Sequence, residues 1–268
     1  MNETVFNEMP LTGVCAALCA MMDVPAPACA EAANPLLTAL ARGKKAQRVF
    51  MYHPDAVAMW LYQRYPLLFA PVLAHTQLCL PLRAVMPSVT PVCFGSMYTG
   101  AQPAVHGIEG YVKPIIAIDT FFDALIRAGK KPAIVSTAGD SLSMIYLERR
   151  MDYWIHDTIE QCNETALALI RRNQHDFILL YNGDYDAQMH RDGPMSAAAL
   201  EKLRENGRTF GTMAEAIGRY WAGQNTLIGF ATDHGCHEID GAMGSHGLSM
   251  PQDLNIAHFY GFYPASGG

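Results

Sequence analysis

The sequence predicts an α/β fold, a mostly parallel central sheet with helices on both faces. Three observations carry that expectation. From Arg48 onward, short apolar or aromatic runs alternate with helical patterns. Residues rich in Asp and His follow several of those runs, where loops would leave the sheet. Half of the residues are hydrophobic and only 16% are charged, so a sizeable buried core is expected and disorder is excluded.

The elements follow in order. Leu11–Met22 reads as a buried helix, because Leu11, Val14, Leu18 and Met21 recur at helical spacing. No Lys or Arg precedes Arg42, and Glu8 lies where a signal peptide would be positive. The run is also too short to span a bilayer. Val24–Pro35 and the basic Arg42–Arg48 stretch form a connection. Arg48–Tyr52 is a strand and Ala56–Arg64 a helix. Thr120–Ala128 is amphipathic, and Pro132–Val135 is a short strand. Thr158–Arg172 is a helix, Phe177–Tyr181 a strand, and Ser196–Glu205 and Thr212–Trp221 two further helices. Thr226–Ala231 and Asn255–Pro264 complete the strands.

The 268 residues are long enough for one large domain, taken as 1–268. A net charge of −6 gives no overall pull toward a nucleic-acid polymer or an anionic membrane. A phosphate would need a local positive device such as a metal ion. Seven cysteines without a CxxC suggest neither a zinc ribbon nor a disulfide scaffold, and point to reduced thiols in the cytoplasm.

Asp55 follows the first strand, Asp184 and Asp186 follow Phe177–Tyr181, and Asp233-His234 follow Thr226–Ala231. Ligands of open α/β sheets bind outside the carboxyl ends of strands, so these clusters should converge on one crevice. Asp186 and His190 share a face if their segment is helical. His246 lies in the glycine-flanked stretch Gly244-Ser245-His246-Gly247. Each His alone is more often structural than a ligand. Together, three carboxylates and three imidazoles suit two divalent ions such as zinc, and suit manganese or iron less well. Thr90-Pro91 reads as the N-cap and first residue of a helix that ends at Gly100. Read alone, Thr90 is a cap; beside a metal, its hydroxyl becomes a nucleophile.

The set "PSVTP…TG..P..HGI", "D…H..GP" and "DHG…HG" resembles the metal-dependent phosphodiesterase branch of the alkaline phosphatase superfamily. Its nearest familiar members are the nucleotide pyrophosphatases/phosphodiesterases. The likeness runs from about Arg48 to Pro251 in matching order. It implies that Thr90, nine positions before Thr99, is the nucleophile. Asp186, His190 and His246 would hold one zinc; Asp55, Asp233, His234 and the Thr90 oxygen would hold the other. Asp55-Ala56 stands where the family has Asp-Gly, and His237 is the runner-up to His246. Thr90 would attack phosphorus in line, and water would hydrolyse the phospho-enzyme.

Three departures stand out. Cys93 occupies a position where many relatives carry an Asn that donates to a phosphoryl oxygen, which gives it a tentative substrate contact. No insertion is long enough for a specificity cap. Pro10–Pro27 resembles the family's terminal helix moved to the front, and is expected beside Asn255–Pro264. His106 is expected to be structural, Arg149-Arg150 and Lys130-Lys131 to be solvated, and Asp140-Ser141 to be a candidate crevice wall. The expected function is a two-metal hydrolase of phosphate esters, of phosphodiester or nucleotide pyrophosphate type, acting on a small molecule. The alternatives are a phosphomonoesterase, a phosphonate or sulfate ester hydrolase, or a catalytically weak metal-binding homologue. Oligomeric state is not legible.

Overall fold

The computed structural model describes residues 5–266. Nine strands lie in this span: β1 (Arg48–Pro54), β2 (Leu78–Arg83), β3 (Pro132–Thr137), β4 (Asp152–His156), β5 (Phe177–Asn182), β6 (Thr226–Ala231), β7 (His237–Ile239), β8 (Met243–Ser245) and β9 (Asn255–Tyr263). Seven form one sheet in the order β2–β9–β6–β1–β5–β3–β4, and β7 and β8 form a small hairpin. β1 pairs in parallel with β5 and β6, and β3 pairs in parallel with β5 and β4. Only β9 runs antiparallel, between β2 and β6. The predicted fold class is the observed one. β2 and β4 are additional to the expected strands. Both are edges, so neither carries a continuous apolar run, and β2 accommodates Pro81 as an edge strand can.

Alternation along each strand feeds two cores. Val49, Met51, Leu179 and Leu227 face the helices Gly13–Met21, Thr90–Thr99 and Phe121–Arg127. Phe50, Tyr52, Leu180 and Phe230 face the helices Ile159–Arg172 and Ala197–Tyr220. All ten residues of Thr90–Thr99 are buried, which explains its lack of an amphipathic pattern. Gly100 ends it in the left-handed region at φ 72°, where an added Cβ would lie 2.7 Å from that of Ala30.

Two expectations need correction. The N-terminal helix is buried through Leu11, Val14, Leu18 and Met21 as expected, but its main neighbours are Pro35–Leu40, Thr90–Thr99 and Phe121–Arg127. The free side of β9 is taken by β2, so the helix packs on the sheet face instead. The link to the C-terminal strand comes earlier: Asn7 N–H donates to Asn255 Oδ1 at 2.8 Å, and Asn7 Nδ2 to the Ile256 carbonyl at 3.2 Å. Second, the two expected helices after Ser196 are one, Ala197–Tyr220. Gly207 and Gly211 do not break it. A Cβ on Gly207 would meet the Leu68 carbonyl at 2.8 Å and one on Gly211 the Pro71 Cβ at 3.3 Å, so both glycines let the helix approach that turn closely.

Two buried imidazoles tie down the end of β6. His53 Nδ1–H donates to the Ala231 carbonyl, and His258 Nε2–H donates to the Thr232 carbonyl at 2.6 Å. Burial lowers His53 to about 3 and His258 to about 4, against small upward effects of those carbonyls. No helix among the described residues is long and apolar enough to cross a membrane.

Two outcomes are expected. Gly207→Ala should destabilise the protein by about 1–3 kcal/mol through overpacking. Gly218→Ala, in the same helix with open space around it, should stabilise by about 1 kcal/mol; urea denaturation of both variants compares them directly. Stability should also fall with acidity. His258 stays neutral in the fold while the unfolded chain takes up its proton near 6.5, so its contribution is complete above that pH and is lost down to about 4. The pH slope of the unfolding free energy should be shallower in His258→Gln.

Candidate active site

The parallel strands place their carboxyl ends on one edge, and the sequence hangs its acids and imidazoles there. Asp55 follows β1, the helix Asp184–Asp192 follows β5 with Asp186 and His190, and Asp233-His234 follow β6. His246 returns on the loop after β8. The structure gathers these six residues into two groups, Asp186/His190/His246 and Asp55/Asp233/His234, with ligand atoms inside each group all within 4.8 Å of one another. The rings of His234 and His246 lie 4.1 Å apart and join the groups.

The backbone fixes the tautomer of each imidazole. His190 Nδ1–H donates to the Gly244 carbonyl at 3.0 Å, His246 Nδ1–H to the Ser88 carbonyl at 3.0 Å, and His234 Nδ1–H to the Gly235 carbonyl at 2.9 Å. A carbonyl can only accept, so in each neutral ring Nε2 carries the lone pair. His190 and His246 aim those lone pairs at each other across 3.1 Å, and Asp186 Oδ1 lies 3.2 and 3.5 Å from the same two nitrogens. His234 Nε2 lies 3.4 Å from Asp55 Oδ1 and 3.2 Å from Asp233 Oδ2. These three carboxylate oxygens are buried and have no hydrogen-bond partner. Each group could hold a metal ion, and this mixed nitrogen and oxygen set has the chemistry of a divalent-metal site.

The acidities fit that chemistry. Burial pushes the Asp55 carboxyl up, and the Asp186 charge adds to it. Burial, then the Asp55 charge, raises Asp233 well above the carboxylate range. Burial would also raise Asp186, but its two imidazoles outweigh it and hold it low. Asp186 in turn raises His190.

Thr90 meets the second group. The helix starts at Thr90 with Val89 as its N-cap, and Thr90 makes no capping bond. This corrects the expected N-cap. Its Oγ1 instead donates to Asp55 Oδ2 at 3.2 Å and lies 3.4 Å from His234 Nε2. Tyr181, which sequence reasoning treated only as a strand residue, donates its hydroxyl to the same Asp55 oxygen. Its position at the end of a strand that pairs with β1 was the available signal, since register sets Tyr181 against His53.

Cys93, the expected substrate contact, is buried one turn along the helix from Thr90. It is 0% exposed, its Sγ faces the Val85 carbonyl at 3.9 Å, and burial pushes the thiol up. It is not among the residues that line the cleft at the strand ends, where Thr90 of the same helix is, and the charges of Asp233 and Asp55 raise the thiol further. His237 belongs to neither group of candidate ligands, and its Nδ1–H donates to Asp253 Oδ1 at 2.7 Å. Asp253 is fully buried and also accepts from Leu248 N–H at 2.8 Å, while its carbonyl accepts from Gly235 N–H at 2.7 Å. It thereby clamps the loop that carries His246. His106 is structural, bonded to Ser96 Oγ at 2.9 Å. Arg149 is not solvated, being paired with Asp123 at 3.1 Å.

A cleft of ≈ 590 Å³ opens over these strand ends, and Thr90, Tyr181, Asp186, Lys113 and Asp140 are among its walls. A cavity of ≈ 610 Å³ beside Ile115–Asp119 and Leu147–Arg149 carries no comparable constellation.

Among solved structures, an inactive form of murine ectonucleotide pyrophosphatase/phosphodiesterase 5 in complex with AMP aligns at a TM-score of 0.57. The identity is 15%, over 73% of this chain and 59% of that one. The two chains share a fold. Phosphonoacetate hydrolase from Sinorhizobium meliloti, in complex with phosphonoformate, also shares this fold at a TM-score of 0.53 and 17% identity, over 74% of this chain and 59% of that one. A stretch of 81 residues is 31% identical to human ectonucleotide pyrophosphatase/phosphodiesterase family member 7, covering 30% of this chain and 18% of the relative. The chain therefore spans less than two thirds of the length of each of these proteins. No protein-family profile matches it.

Asp253→Ala should leave the buried His237 donor without an acceptor and release the Leu248 N–H from the loop clamp. The expected cost is about 1–3 kcal/mol for that one unsatisfied group, with Asp253→Asn losing less; chemical denaturation measures both.

Proposed function

We propose that the protein is a two-metal hydrolase of small phosphate esters, with Thr90 as nucleophile and a preference for diesters over monoesters. One observation carries the reading: three partnerless carboxylate oxygens and three free imidazole nitrogens surround the neighbourhood of one hydroxyl. Asp186, His190 and His246 would hold one divalent ion; Asp55, Asp233 and His234, with the Thr90 oxygen, would hold the other. Zinc matches the donor set best. Bound cations there supply the charge that lowers the hydroxyl's pKa and neutralises the phosphoryl oxygens.

The residues account for the rest. Asp55 Oδ2 accepts from Thr90 and orients its oxygen, and Tyr181 holds that carboxylate in place. The Thr90 oxygen forms a bond to phosphorus as the ester oxygen leaves, giving phosphothreonine. Water then attacks the same phosphorus, and the Thr90–phosphorus bond breaks to return the enzyme and the acid product. Charge favours diesters. Asp140, Asp157, Glu160 and Asp184 also line the cleft, against Lys113 as its cation, so the additional charge of a monoester is unwelcome. Phosphonate hydrolysis is the second reading, supported by the fold shared with phosphonoacetate hydrolase. The seven unpaired cysteines support a reducing, cytoplasmic setting.

Elemental analysis after zinc addition should find two ions per chain, one for each ligand group. Asp186→Ala and Asp233→Ala should each lose about one of them. Bis(nitrophenyl) phosphate should be cleaved faster than nitrophenyl phosphate, and Thr90→Ala should abolish turnover while keeping most of the metal. Protein that binds no metal, or Thr90→Ala that retains full activity, would exclude this mechanism.

A further inference from the structure

We infer that Lys113 binds an anionic phosphoryl oxygen of the substrate; the inference rests on the phosphoester reading above. Residues 107–119 form a segment without regular helix or strand. It brings Tyr111 and Lys113 to the wall of the cleft that also contains Thr90, Asp55 and Asp186. Lys113 Nζ donates to the Gly139 carbonyl at 2.8 Å, in the turn after β3, so its ammonium group bridges two sides of the cleft. The Tyr111 ring supports it from 5.5 Å.

The charge pattern makes this position informative. Asp140, Asp157, Glu160 and Asp184 line the same cleft, yet Lys113 forms no ion pair among the described residues. Lys202, by contrast, is neutralised by Asp184 at 3.3 Å and Glu205 at 2.9 Å. An ammonium has three N–H donors, and Gly139 takes one. The remaining two belong to a cation without an ion-pair partner, in the same cleft as the candidate nucleophile. In phosphoryl transfer, charge spreads over the non-bridging oxygens, and a preorganised cation there contributes directly to the rate.

The competing role is a strap that only ties the loop to the β3 turn. Calorimetric titration with inorganic phosphate separates the two, using protein as purified and after zinc addition. Lys113→Met should bind phosphate about tenfold more weakly or worse, and should lose about tenfold to a hundredfold in kcat/KM for bis(nitrophenyl) phosphate. Lys113→Arg should restore most of both. Equal phosphate affinity in wild type and Lys113→Met, or no phosphate binding by the wild type, overturns the inference. Binding of phosphate that depends on Lys113, without ester turnover by the wild type, would instead sink the hydrolase reading and leave Lys113 as an anion-binding residue.

Discussion

Two carboxylates buried side by side set the terms for the whole carboxyl edge of the sheet. Asp55 and Asp233 are at most 1% exposed; burial raises the cost of ionising both, the Asp55 charge adds to that of Asp233, and the Asp186 charge adds to that of Asp55. β1 and β6 are neighbours in the sheet, so the backbone holds the two acids together and neither can move away. The surroundings answer this by satisfying only the outer atoms. Ala56 N–H serves Asp233 at 3.3 Å, and Tyr181 and Thr90 serve Asp55, while the inner oxygens stay bare. Positive charge between the two acids would offset the cost of ionising them there.

Sheet direction explains why the second group lies so close. Parallel strands bring Asp55, Asp186 and Asp233 to one edge. β9 runs the other way, so it starts at the edge where β6 ends. The excursion from Thr232 to Leu254 therefore never crosses the sheet. It can form the β7–β8 hairpin, present His246 and remain pinned by Asp253.

Much of this was legible because apolar strands buried on both faces leave a strong mark, and an Asp directly after such a strand is conspicuous. That logic located Asp55, Asp186 and Asp233 and the central strands. It failed where burial is one-sided, as in β2 and β4, and where a glycine serves packing, as at Gly207. It failed again where a side chain's partner is distant in sequence. Thr90 and Pro91 have the composition of a cap, and only the approach of Asp55 shows the hydroxyl directed elsewhere. Position 93 looked like a substrate contact by its spacing from Thr90, yet the helix turns it into the core. Lys113 and Tyr181 carry no local pattern at all, since the cleft that gives them meaning is assembled from several loops.

The antiparallel insertion of β9 also has a consequence for how the chain reaches this state. β2 touches the rest of the sheet only through β9, which is made long after it. Until Asn255–Tyr263 is available, β2 has an unpaired edge, and the Met9–Leu11 segment that pairs with Arg83 is anchored to a strand without a sheet. The remaining strands can assemble earlier around β1. Folding should therefore end with the docking of β9, a step of high contact order, and the exposed β2 edge makes the preceding intermediate the species most prone to self-association.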